Sequence, residues 1–361
     1  MLKSGQAFKE TVPSFIYSGD PMPKRGLKIV TRVVQAAPQI RKISFLLAAL
    51  LASIMQPALI TAAQSAPLVK PAVHTLKFPD ESIGKLSLLS KKWRPGANSS
   101  SEDVRLGPAR GNIQVPVGSR IKLEGNHSLI ESLDPLKELP GQDFIALELT
   151  RLPITNAQLK DLNRLTGIQH LSLENTDVDD GVLPYLADLK DLRYLNLRRT
   201  MITGRLLPEL KRWPKLNRLK IGHNALRKEF INRACFACLK ELPRLEELQV
   251  SSAGLDDESL KGIAEIKQLH SLDISGNQKV SEVGLSYLAS MPRLYYLNLG
   301  DIKLPARAVC KLGRCGVHSL VLSFRFYTPA ELKTIKTCLP GRKIANSVKN
   351  NVPLEMYAPL H

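Results

Sequence analysis

Catalytic punctuation is missing from this chain. There is no glycine-rich phosphate loop, no G-x-S-x-G and no H-E-x-x-H, so phosphoryl transfer, esterase-type acyl transfer and zinc-peptidase chemistry have no local signature to stand on. Aromatic residues are scarce, at 5% with two tryptophans, and Trp93 and Trp213 read as packing residues. The seven histidines, among them His170, His223, His270 and His318, are scattered rather than clustered. Sustained apolar heptads are absent, which excludes a coiled coil. The five cysteines supply only one C-x-x-C, Cys235–Cys238, and without a second pair it carries little weight for a four-ligand metal or redox site. The expectation is a protein that is not an enzyme, with no cofactor and no bound metal. Acidic residues are also short: 33 against 51 Lys+Arg, a net charge of +18.

What the chain has is a recurring L-x-x-L-x-L. It appears as Ile168-x-x-Leu171-x-Leu173, Leu192-x-x-Leu195-x-Leu197, Leu216-x-x-Leu219-x-Ile221, Leu245-x-x-Leu248-x-Val250, Leu269-x-x-Leu272-x-Ile274 and Leu294-x-x-Leu297-x-Leu299. Weaker copies flank these at Phe144-x-x-Leu147-x-Leu149 and Val317-x-x-Leu320-x-Leu322. The steps between first residues are 24, 24, 24, 29, 24, 25 and 23. Self-similarity at this step is the leucine-rich-repeat signature. The x-Leu-x-Leu stretch alternates like a strand. A second apolar set at three-residue spacing, such as Leu183/Leu186/Leu189, predicts a short helix. Asp179, Thr203 and Asp256 sit where an N-cap would. The predicted fold is α/β: a leucine-rich-repeat solenoid, a right-handed β-α superhelix with a small β-rich N-terminal cap. No single unit can bury its own leucines, and roughly eight of them stacked exceed the minimum of about three that such arrays need.

Ahead of the repeats, Arg41-Lys42 precede the apolar stretch 43–55, and small residues follow to Ser65. This is the order of a secretory signal, with cleavage near 63–66. The basic segment before it is long, so either translation starts downstream, with Met22 a candidate, or 43–63 is a retained membrane anchor; its 21 residues would about span a bilayer, although Gln56-Pro57 in the middle argues mildly against that. The expected organisation is therefore 1–65 signal peptide or anchor, 66–143 linker and β-rich cap, 144–345 repeats and 346–361 tail. Alternation in 74–89 and 111–125 marks the cap strands, separated by the polar loop 96–101. The stretch from Cys338 to Ile344 reads as a last strand. Cys315 and Cys338, at equivalent places, read as small buried hydrophobes; a Cys310–Cys315 or Cys235–Cys238 bridge stays open.

From about Leu76 to Ile344 the chain resembles the secreted leucine-rich-repeat proteins of planctomycete-type bacteria. The resemblance rests on the T-x-I/V-T/D turn, as in Thr176-Asp177-Val178-Asp179 and Thr200-Met201-Ile202-Thr203, and on the lead-in Phe78-Pro79-Asp80-Glu81-Ser82-Ile83-Gly84. It implies a binding scaffold that is secreted, periplasmic or held in the cell envelope.

Residues flanking the strand leucines are expected on the concave face. Residues 192–244 hold 14 basic and 3 acidic residues, whereas the rest of 144–361 is near neutral. A focused positive zone attracts anionic partners, and arginine beside tyrosine is enriched at protein interfaces. The candidate binding residues are Tyr194, Asn196, Arg198, Arg199, Arg218, Lys220, His223 and Tyr296. The five extra residues within 227–239 form an insertion beside the same units. The expected function is a non-catalytic scaffold taking a protein partner or an anionic ligand, with no specific nucleic-acid signal. A membrane-anchored structural or surface protein of the envelope, and a substrate-receptor-type repeat adaptor, are the alternatives.

Overall fold

In a computed structural model of the chain, residues 72–97, 100–223 and 233–347 are described. The signal or anchor expected in 1–65, most of the insertion and the end of the tail lie outside them. Among the described residues no helix is long and apolar enough to cross a membrane.

Among the described residues, fourteen strands carry the fold. They are β1 Val73–Lys77, β2 Gly84–Leu88, β3 Val104–Pro108, β4 Asn112–Pro116, β5 Ile121–Gly125, β6 Phe144–Glu148, β7 His170–Ser172, β8 Tyr194–Asn196, β9 Arg218–Gly222, β10 Glu247–Ser251, β11 Ser271–Asp273, β12 Tyr296–Asn298, β13 Ser319–Leu322 and β14 Lys343–Asn346. β1 and β4 form a two-stranded antiparallel sheet. The other twelve form one sheet in the order β14 to β5, then β2, then β3. Every pairing from β5 to β14 is parallel, while β2 runs antiparallel to both β5 and β3. Strands one repeat apart can only pair in parallel, because a helical crossover returns the chain to the same end each time.

Register explains the leucines. Leu147, Leu171, Leu195, Leu219, Leu248, Leu272, Leu297 and Leu320 sit opposite one another across successive strands, and all are 1% exposed or less. Each buried leucine contributes about 1.5–3 kcal/mol of apolar burial, so the ladder is the spine of a single continuous core. On the far side of that core lie short helices. The first are mostly 3-10 turns (Asn156–Arg164, Gly204–Arg212, Arg233–Glu241), and α-helices follow at Asp257–Ile263, Glu282–Leu288, Ala306–Cys310 and Pro329–Cys338. Asp179, Thr203 and Asp256 cap their helices as expected, accepting from the backbone N–H of Gly181, Arg205 and Ser259.

The turn after each strand from β6 to β12 is uniform. Arg151, Asn175, Arg199, His223, Ser252, Gly276 and Asp301 occupy the same place in successive units, all with φ between +49° and +76°. Behind that turn a buried polar side chain ties the repeat together. Thr176 and Thr200 donate to the carbonyls of Leu173 and Leu197 at 2.7 Å. Asn277, wholly buried, accepts from the N–H of Ala253 and Leu255 and donates to the carbonyls of Val250 and Ile274.

Three elements and one cysteine differ from expectation. The parallel run begins one strand early, at β5. β3 was not expected, since Val104-Arg-Leu-Gly-Pro lacks clean alternation and ends in turn residues. The last strand begins at Lys343, because Cys338 is still helical and Leu339 to Arg342 make the connection. Cys338 is also not a simple buried thiol: it forms a disulfide with Cys310, a pairing not among those left open. Each is the last residue of its helix, so stacking of adjacent units brings them together. Cys315 is half-buried and its thiol donates to the Leu312 carbonyl.

Candidate functional site

Alternation places the odd strand positions on the sheet face turned away from the helices. One row on this free face runs Ala146, His170, Tyr194, Arg218, Glu247, Ser271, Tyr296, Ser319; the next runs Glu148, Ser172, Asn196, Lys220, Gln249, Asp273, Asn298, Val321. The candidate residues therefore do share one surface, with Arg198, Arg199 and His223 along its rim at the strand-ending turns. They differ sharply in what covers them.

The first repeats are roofed by the chain itself. Residues 90–97, which leave β2, fold across the free face of β6, β7 and β8. Trp93, 2% exposed, packs with Leu89, Ile145 and Ala146 in a small apolar cluster apart from the main core. Its ring centroid is 5.6 Å from that of His170, and the Arg120 guanidinium lies over its outer face at 5.7 Å. Farther along, the Gly96 N–H donates to His170 Nδ1 at 2.9 Å. Gly96 has φ +84°, and a Cβ there would stand 2.5 Å from the Tyr194 ring and 2.9 Å from Arg218 Cδ. Glycine is required by both the backbone angle and the close approach. Tyr194 is consequently only 5% exposed, sandwiched between this strap and the stacked His170 ring at 4.2 Å.

Beneath the strap lies a charged network. Lys122 Nζ reaches Glu124 and Glu148, each at 2.9 Å, and His170 Nε2 lies 3.4 Å from Glu148. Burial pushes the Glu148 carboxyl up, but the His170 ring and the Lys122 ammonium more than reverse this and hold its pKa at about 2. Burial lowers the pKa of His170 despite Glu148 beside it. Because Nδ1 accepts from Gly96, the neutral ring carries its proton on Nε2, facing the carboxylate.

The charged middle of the wall follows. Arg218 Nε is 3.4 Å from Glu247. Arg198 lies 3.9 Å from Glu174 through one terminal nitrogen and 3.3 Å from His223 Nδ1 through the other. His223 also contacts the Ser251 hydroxyl at 3.1 Å, and burial, then Arg198 and Arg199, lower its pKa. Arg199 is exposed. Asn196 is buried and donates to Glu174 at 2.9 Å while accepting from the Arg198 N–H. Lys220 is half-buried, with its ammonium 5.5 Å from the Tyr194 ring centroid.

Toward β14 the face changes again. Asn298 repeats the Asn196 arrangement by donating to Asp273 at 3.0 Å. Tyr296, 2% exposed, packs on Val321 with Tyr295 and Ala345 in a second apolar cluster. Cys238 is half-buried within the turn Arg233–Glu241, while the side chain of Cys235 lies outside what is described. Among the described residues no group of three or more His, Cys, Asp or Glu is placed to hold a metal.

Sequence reasoning missed the strap and the Lys122–Glu148–His170 network. The one available hint was a tryptophan followed by Arg-Pro-Gly in an otherwise polar loop: a large apolar residue in such a loop must find cover somewhere.

No family model matches the chain, and no curated protein matches it. Among solved structures an internalin from Listeria monocytogenes is similar, at 20% identity and a TM-score of 0.44, covering 63% of this chain and 67% of that one.

Proposed function

We propose that this protein is a non-catalytic binding scaffold that holds a protein partner on the middle of its concave sheet face, over β8 to β10. The observation that carries this reading is the segregation of that face. Its first two repeats and Tyr194 on the third are covered by residues 90–97, and the surface that follows gathers Arg198, Arg218, Lys220 and His223 with Glu174 and Glu247 on neighbouring strands. Mixed charge beside a buried tyrosine suits a specific protein surface better than a nonspecific polyanion.

The Cys310–Cys338 disulfide supports a secreted, periplasmic or envelope setting, because such bonds persist in oxidising compartments. It counts against a cytosolic adaptor. Membership of the planctomycete-type secreted repeat proteins is part of the same reading.

The test is affinity capture from an extracellular or envelope fraction with the wild type and with Arg198, Arg199, Arg218 and Lys220 all changed to Glu. Loss of the captured species in the reversed variant, together with weakening at higher salt, supports the wall. Unchanged capture removes it.

A further inference from the structure

The four cations of the wall are not equivalent, because three of them are already provided for. Arg218 faces Glu247 at 3.4 Å. Arg198 is shared between Glu174 at 3.9 Å and His223 at 3.3 Å. Arg199 is exposed and solvated. Lys220 is half-buried, yet among the described residues no carboxylate lies within 4.0 Å of its nitrogen, and its contact is the face of Tyr194. Two arginines and one lysine against two glutamates leave one positive charge over. Position assigns that charge to Lys220.

Tyr194 fixes one side of this ammonium, and the other side opens to solvent. Its ring is clamped between His170 at 4.2 Å and the strap glycine. An ammonium has three N–H donors, and a ring face satisfies one direction only. We propose that Lys220 is the seat of a carboxylate supplied by the partner, an acidic side chain on a protein segment laid across β8 and β9. This rests on the docking-wall reading above and names the partner's chemistry. A partly buried cation that exchanges water for a partner's carboxylate gains a charge pair that it lacks in the free protein, the condition under which an interfacial pair adds affinity. Burial lowers the pKa of Lys220, with Glu247 and Glu174 opposing this and Arg198 and Arg218 adding to it. A bound carboxylate reverses that shift.

The experiment uses the full chain and two labelled peptides, one with three consecutive glutamates and one with three glutamines, read by fluorescence anisotropy at low salt. The glutamate peptide binds and the glutamine peptide does not. Lys220→Met weakens binding by roughly tenfold or more, about 1.4 kcal/mol, while Lys220→Arg retains it. Lys261→Met, which removes an exposed lysine from the helix side, changes it by less than about threefold. Circular dichroism confirms folding of each variant. Equal binding of the two peptides, or full binding by Lys220→Met, overturns the proposal. Competition by free acetate at concentrations comparable to the peptide's would point to a small carboxylate and overturn the protein-segment occupant. If the four-glutamate reversal abolishes partner capture while Lys220→Met leaves it intact, the wall stands and the seat falls.

Discussion

Substituting Gly96 by alanine should unfasten one end of the strap and leave the other in place. Three terms contribute. A non-glycine residue at φ +84° is strained by about 1–2 kcal/mol. The new methyl meets the Tyr194 ring at 2.5 Å, and that ring is held by His170 and has no room to give. Withdrawal of the backbone then forfeits the Gly96 N–H bond to His170, worth about 1 kcal/mol. The total of about 2–3 kcal/mol exceeds what holds residues 96–97, but not the 3–5 kcal/mol that anchors a buried tryptophan. Trp93 therefore stays in its socket with Leu89, Ile145 and Ala146, and its fluorescence stays blue-shifted. His170, relieved of burial but still beside Glu148, titrates at higher pH than in the wild type. Proton NMR of the imidazole against pH reads this directly. An unchanged His170 titration curve, or a red-shifted Trp93 emission, would refute the two-point account of the strap.

Glu148→Gln should weaken the protein near neutral pH and flatten its acid dependence. A carboxyl held at about 2 is depressed below its unfolded value, so it stabilises the fold fully above about pH 4.5, by about 3 kcal/mol, and this is lost as pH falls toward 2; urea midpoints at pH 7 and pH 3 should differ less in the variant. Reducing the Cys310–Cys338 bridge, which spans 28 residues, should cost about 3–4 kcal/mol, seen as a lower thermal midpoint and two newly alkylated thiols in the last two units. Asn277→Leu leaves the N–H groups of Ala253 and Leu255 and two carbonyls without partners, and at about 1–3 kcal/mol for each buried group it should abolish soluble expression or drop stability beyond about 3 kcal/mol. Stability equal to wild type in that variant would contradict the role given to the buried amide.

The spine was legible because it repeats. Leucines at a 24-residue step determine which side chains face inward, and the caps Asp179, Thr203 and Asp256 follow from short-range chemistry at each helix start. The free-face rows could be listed by counting alone, and Tyr194, Arg218 and Lys220 share that face. What counting could not give is cover. Nothing periodic in 90–97 tells where Trp93 goes, so the burial of Tyr194 and His170 was not foreseeable from their own units. Counting puts Glu247 next to Arg218, but which carboxylate each arginine reaches, Glu247 for Arg218 and Glu174 for Arg198, depends on side-chain rotamers that no spacing encodes. The disulfide is of the same kind: Cys310 and Cys338 meet because two helices of unequal length end at the same level.

Arrays of stacked repeats ordinarily fold by nearest-neighbour propagation, since each unit touches only those on either side. The hydrogen bond from Gly96 to His170 joins residues 74 apart in sequence and ties β2's exit loop to units it would otherwise never meet. Such a chord raises the contact order of the first units. It should make them melt as one cooperative block, protected together in hydrogen exchange, separately from the last two units, which the Cys310–Cys338 bridge holds together.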